Sequence, residues 1–258
     1  MPAPSLTLAR VFTRDDGRDR VAVPFWNAIL SAAGAIAIGF AASFVATIVL
    51  IVAIVLATGR TPSVNPGHPL VAASELMFYL TGGAFAWWRL RATGRQPLRK
   101  LHAPELRAIL IGVAALFLVR VGTVIQLTAT NQTKHVQSGF EHFDVVTKQP
   151  TITAIGIALA VVAMVVVGPI AEEIVFRGLL FGALAPRLGV LASALITALL
   201  FGAAHGDPVL FPTLAALGFI AALAYAATGN LTVSIALHML NNALGAAVLV
   251  ASSLHHHR

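Results

Sequence analysis

Two adjacent carboxylates, Glu172 and Glu173, share the run Ala171-Glu172-Glu173-Ile174-Val175-Phe176-Arg177 with a guanidinium, inside one of the most apolar stretches of the sequence. Two histidines follow in later apolar segments, one in Phe201-Gly202-Ala203-Ala204-His205 and one in His238-Met239-Leu240-Asn241-Asn242. A carboxylate in a low-dielectric cavity can take a proton from water near neutral pH. Histidines can polarise that water, donate to a developing oxyanion or bind a metal, and the Asn242 amide is a further oxyanion donor. A zinc ion lowers the pKa of its bound water to about 7 and so offers a second route to the same nucleophile. Glu172, His205 and His238 suit either route.

Between Thr151 and Ser253 the only charged residues are Glu172, Glu173, Arg177, Arg187 and Asp207. Charge at membrane depth is costly unless paired or wet, so such residues usually mark function. Glu173 and Arg177 are four apart, so on a helix they share a face and can pair. Glu172 lies about 140° from Arg177 at roughly 100° per residue, and points elsewhere. The plainer alternatives are that Glu173–Arg177 is only a buried ion pair orienting a helix, and that each histidine is a packing or boundary residue. Asp207-Pro208 soon after His205 fits a boundary. Glu172 has no cation on its own face, and the three groups taken together favour chemistry.

The elements that must position this set are membrane helices. The chain has 258 residues, 58% hydrophobic and 10% charged, with a mean hydropathy of +0.86, outside the usual soluble range. Ala28–Thr58 contains no charged residue, and roughly 20 apolar residues cross a bilayer. This stretch is too long for a signal h-region, so it reads as a first span behind a solvated, Arg/Asp-rich tail. Further spans are expected at about 70–88, 108–127, 151–167, 189–205, 209–228 and 231–252. Gly168-Pro169 should kink or break the fourth, and 170–184 continues that helix or starts another. The fold class is all-α, a transmembrane bundle of seven or eight spans. With no cysteine there is no disulfide, thiol nucleophile or thiolate zinc site. The net charge of +7 comes largely from arginines beside apolar spans, which points to topology and away from nucleic acid.

The loop charges orient the chain. The tail carries Arg10, Arg14, Arg18 and Arg20, and the 89–107 loop carries Arg89, Arg91, Arg95, Arg99, Lys100 and Arg107. The 59–69 loop has Arg60 alone, and the 128–150 segment has Lys134 and Lys148. Positive-inside then places the N-terminus and the 89–107 loop in the cytoplasm. At 1.5 Å per residue, Glu172 and His205 both lie roughly 20–25 Å from the 187–189 turn, while His238, seven residues into its span, counts as shallower.

Other membrane-protease signatures are missing: there is no His-Glu-x-x-His, no Gly-x-Ser-x-Gly and no Gly-x-Gly-Asp. Instead Glu172-Glu173-x-x-x-Arg177, then Phe201-x-x-x-His205, then His238-x-x-x-Asn242 resembles the ordered motif set of the CPBP family. That family comprises the type II CAAX prenyl endopeptidases and the bacterial bacteriocin-processing or immunity relatives called Abi proteins. The resemblance covers about 151–252 and implies a helical intramembrane protease with a cavity reached from the cytoplasm. It implies Glu172 as the water-activating base, His205 assisting, and His238 and Asn242 at the oxyanion site. Glu173 and Arg177, with Phe201, are implied to be supporting. The family is labelled metalloprotease and a metal-free glutamate mechanism has also been argued for it. Zinc or another divalent ion on Glu172, His205 and His238 is therefore one implied state and no metal the other.

The expected organisation is a cytoplasmic tail (1–27), N-terminal spans and loops (28–150), a CPBP-like catalytic core (151–253) and a C-terminal tail (254–258). The expected place is a bacterial plasma membrane, and the expected partner a membrane-associated protein or peptide substrate, with the oligomeric state open. Two other classes compete: a proton- or ion-coupled transporter and a non-catalytic membrane scaffold. Against a transporter, no inverted repeat is visible. Arg120 is expected to pair with a carboxylate such as Glu75 or to snorkel. His135 and His142 read as solvated loop residues, and His255-His256-His257 as a ragged end or shortened tag.

Overall fold

The computed structural model describes residues 24–62, 69–94, 97–133 and 150–255, with backbone only at 150–153 and 248–255. The N-terminal tail, most of the Pro/Gly turn, His135, His142, His256 and His257 lie outside the described residues. Among the described residues all regular structure is helical. The described residues form seven helices: α1 (Phe25–Thr58), α2 (Pro69–Arg91), α3 (Ala103–Ala129), α4 (residues 150–188), α5 (Val190–Ala204), α6 (Phe211–Thr228) and α7 (Leu231–His255). Five stretches are long and apolar enough to cross a membrane: α1, α2, α3, Ala154–Leu188 of α4, and α6. Helix α5 and the Leu231–Ala247 part of α7 are shorter apolar helices. The chain is an integral membrane helix bundle.

Local chemistry sets the helix ends. Helix α3 opens with a capping box in which the His102 N–H donates to Glu105 Oε2 at 3.1 Å, satisfying a donor that the first turn leaves orphaned. Helices α1 and α6 close on Gly59 and Gly229 at φ 66° and 61°, the left-handed conformation that glycine adopts without a Cβ penalty. Helix α1 packs on α2, α2 on α4, α5 on α6, and α7 on α6 and α3.

Of the two readings the sequence left open at Gly168-Pro169, the structure takes the continuous one. Helix α4 runs through this dipeptide, because the preceding turn, Ala163–Val167, widens to π geometry. The Gly168 N–H reaches back five residues to the Ala163 carbonyl. Wider winding relieves the clash of a proline ring with the preceding turn and absorbs its missing N–H. A second π segment, Ile174–Phe181, follows the two glutamates.

Close helix approach rests on glycine, as is usual where lipid gives little hydrophobic drive to association. A Cβ on Gly82 would sit 2.6 Å from the Ala35 carbonyl of α1, and one on Gly83 would sit 2.8 Å from Ala171 Cβ, beside Glu172. Because the Gly82 obstacle is backbone, Gly82→Ala is expected to destabilise the bundle by about 1–3 kcal/mol. Gly122→Ala, where nothing lies within 4 Å, should be near neutral. Unfolding curves in detergent micelles measure both.

Candidate active site

The buried pair comes first, because it holds the rest. Arg177 Nη1 donates to Glu173 Oε1 at 2.7 Å with both side chains fully buried. Arg177 Nη2 donates to the Gly218 carbonyl of α6 at 2.7 Å, and its guanidinium lies 4.9 Å from the Phe201 ring centroid. Glu173 Oε1 also accepts from His238 Nδ1 at 3.0 Å. One carboxylate oxygen therefore joins a cation on its own helix to a histidine on α7. The i,i+4 spacing anticipated the first contact; the second was invisible, because Glu173 and His238 are 65 residues apart.

These contacts orient both imidazoles. A carboxylate oxygen can only accept, so His238 carries a proton on Nδ1 and turns Nε2 outward. His205 Nδ1 likewise donates to the Phe201 carbonyl at 2.8 Å, leaving its Nε2 outward. Both Nε2 atoms meet Glu172 Oε2, His238 at 3.8 Å and His205 at 4.0 Å. Those separations exceed a direct hydrogen bond and are of the size that a water about 2.8 Å from each atom can bridge. Glu172 and His205 keep 17% and 18% of their side-chain surface exposed, against 2% for His238, so the cluster is open on the Glu172–His205 side. Phe201, fully buried, packs edge-on or tilted against Phe176, His205 and His238 at 5.1, 4.7 and 5.4 Å.

His238 is not shallower than its partners. Asn230 and Leu231 are fully buried because residues 97–100 fold over the turn: the Leu231 N–H donates to the Pro97 carbonyl at 2.8 Å. Helix α7 therefore starts below the end of the bundle, and seven residues suffice to reach Glu172.

Asn242 is placed otherwise than its expected role suggests. Its Nδ2 donates to the Met164 carbonyl at 2.9 Å, while its Oδ1 accepts from Asn241 Nδ2 at 3.0 Å. In π register the Met164 carbonyl would be served by the N–H of residue 169, and Pro169 has none. Asn242 thus caps the acceptor that the proline orphans. Arg120 does not pair with Glu75: its Nη2 donates to the Asn241 carbonyl at 3.1 Å.

Sequence reasoning missed Tyr79 of α2. A Cβ on Gly168 would lie 3.3 Å from its ring, so this glycine lets the ring cross α4 one turn before Glu172 and brings the phenol near that carboxylate. No motif marks a lone tyrosine in an apolar span; only the approach of α2 to α4 reveals it.

As a donor set, two imidazole nitrogens and a carboxylate oxygen suit zinc. The spacing does not: tetrahedral bonds of about 2.0–2.1 Å put donor atoms about 3.3 Å apart, against 3.8 and 4.0 Å here. Among the described residues no group of three potential ligands is drawn close enough to hold a metal ion. The arrangement as it stands does not fit the ion, and no step below is routed through one.

Removing one partner of a buried ion pair strands the other, at about 3–5 kcal/mol. Glu173→Ala should therefore cost the fold that much in detergent unfolding and lower cellular abundance. Glu172→Ala, at the wetter position, should leave both near the natural level.

The geometry can be set beside known proteins. Residues 154–244 match the family model described as type II CAAX prenyl endopeptidase Rce1-like. The chain is 36% identical over 86 residues to "Putative membrane peptidase YdiL" of Bacillus subtilis (strain 168), covering 33% of this chain and 35% of that protein. It is 27% identical over 139 residues to "Membrane-embedded CAAX protease MroQ" of Staphylococcus aureus (strain USA300), covering 52% and 53%. The chain thus spans between a third and about half of the length of these curated relatives. No solved structure matches it significantly. The matched segment contains Glu172, Glu173, Arg177, Phe201, His205, His238 and Asn242 but not Tyr79. The part of the chain that resembles the Rce1-like family of type II CAAX prenyl endopeptidases is therefore residues 154–244, and it holds the whole Glu/His/Asn cluster.

Proposed function

We propose that the protein is an intramembrane endopeptidase of a bacterial plasma membrane, cutting a membrane-associated protein or peptide by glutamate-activated water. The observation that carries this reading is the convergence of two outward Nε2 atoms on Glu172 Oε2 at 3.8 and 4.0 Å. The relatives named as peptidases support it.

In this mechanism Glu172 takes a proton from the bridging water as its oxygen attacks the scissile carbonyl. His205 Nε2, held by the Phe201 carbonyl, accepts the water's remaining hydrogen and aims its lone pair. Protonated His238 donates from Nε2 to the oxyanion, and the Glu173 carboxylate on its Nδ1 stabilises that imidazolium. Glu172 then passes its proton to the departing amine. Asn242 keeps α7 against α4 in this scheme, and Tyr79 steadies the second side of the Glu172 carboxylate. Neither water activation nor oxyanion binding requires a metal here, so cleavage should survive chelators, and purified protein should carry no stoichiometric zinc by elemental analysis.

Comparing membrane-peptide products by mass spectrometry between cells with the natural chain and with Glu172→Ala, at matched abundance, tests the proposal. Products lost in the variant identify substrate and cut site. Identical profiles across growth conditions would overturn the peptidase reading in favour of a transporter or scaffold. Tyr79→Phe keeps the ring on Gly168 and removes the phenol that in this scheme donates to Glu172, a hydrogen bond to a charged group worth about 1.5–3 kcal/mol. Product formation should fall roughly tenfold or more, with the unfolding curve unchanged.

A further inference from the structure

We propose that the cluster opens toward the extracytoplasmic face of the membrane, so that its substrate presents the scissile segment at the outer leaflet; the word substrate here rests on the peptidase reading, and the direction of opening does not.

The bundle has two chemically distinct ends. One gathers Arg89, Arg91, Arg99, Lys100, Arg107 and Arg187. Contacts hold them at the same end: Arg99 Nη2 donates to the Thr228 carbonyl at 2.6 Å, Arg89 Nε to Ser31 Oγ at 2.9 Å, and Arg187 lies 5.7 Å from the Phe25 ring. These tie the end of α2, the 97–102 stretch, the start of α1, the end of α4 and the α6–α7 turn together. At the opposite end, where α1 and α3 finish and α5 turns into α6, Arg60 is the single Lys or Arg among the described residues. Lys134 and Lys148 lie in the sequence between α3 and α4. Cytoplasmic loops collect Lys and Arg, so the six-residue end faces the cytoplasm.

The cluster sits at the other end. His205 immediately follows Ala204, the last residue of α5. That helix begins at the basic end and carries His205 about 22 Å away at 1.5 Å per residue. Two residues on, Asp207 Oδ1 accepts the Val209 and Leu210 N–H groups, both at 3.0 Å, and shapes the connection into α6. Gln126 Nε2, near the end of α3, donates to the Val209 carbonyl at 2.8 Å. Ala203, Ala204, Gly206 and Pro208 are exposed around His205. Toward the basic end, Arg177, Phe201, Leu179 and Phe181 are all buried. Solvent that reaches Glu172 and His205 therefore comes from the end poor in Lys and Arg. This is opposite to the cytoplasmic access that the sequence resemblance implies.

The chain has no cysteine, so single thiols report accessibility directly. Pro208→Cys and Thr130→Cys mark the cluster's end, and Leu98→Cys, also exposed, marks the basic end. Spheroplasts expressing each full-length variant are treated with a membrane-impermeant maleimide before or after lysis. Pro208→Cys and Thr130→Cys should label equally in both, and Leu98→Cys only after lysis. Labelling of Leu98→Cys in intact spheroplasts would overturn the orientation. Protection of Pro208→Cys there, while Thr130→Cys labels, would overturn the opening itself. Because labelling does not depend on cleavage, the expected pattern without any Glu172-dependent product would sink the peptidase reading and leave the orientation standing.

Discussion

One buried oxygen, Glu173 Oε1, holds the architecture of the site together. It accepts from Arg177 at 2.7 Å and from His238 at 3.0 Å, and the same guanidinium reaches the Gly218 carbonyl. Three helices are thereby fastened at one charged point in an otherwise apolar bundle. A buried ion pair adds little net stability over a well-packed apolar substitute, but it tolerates the loss of a partner poorly. Its value here is geometric. By occupying His238 Nδ1 it settles which nitrogen faces Glu172, and by drawing Arg177 over Phe201 it fixes the ring on which both histidines rest.

The adjacent carboxylates differ because the helix turns them to different surroundings. Glu173 is enclosed with its counter-ion, while Glu172 keeps solvent contact and faces two imidazoles. Their placement depends on an unbroken α4, and that depends on the π turn before Pro169 and on Asn242 serving the Met164 carbonyl. Membrane helices tolerate proline when a neighbouring helix re-satisfies the freed backbone group. Asn242 sits one turn beyond His238, so the same helix that supplies the imidazole also repairs the helix that supplies the carboxylates.

Much of this was legible in the sequence. Charge inside apolar spans singled out Glu172, Glu173 and Arg177, and helical spacing correctly separated the paired glutamate from the free one. Hydropathy located the helices, since a span's length is set by the bilayer. The rest depended on packing between helices. At Gly168-Pro169 local rules left a kink, a break and a continuing helix all open, because they do not count a distant amide donor. Depth counting placed His238 too shallow because it assumed that every helix starts at the surface, whereas Asn230 is drawn under the 97–100 stretch. Tyr79 carried no signal, since its meaning comes from Gly83 and Gly168 letting two helices touch.

The central claim is that Glu172, His205 and His238 hold one water between them as the nucleophile. A crystal structure grown from lipid, at a resolution that places individual waters, tests it most directly. The account predicts a single ordered water within about 3.2 Å of Glu172 Oε2 and of both Nε2 atoms. A Glu172 side chain turned to lipid, or either Nε2 closed off by a protein group, would contradict it.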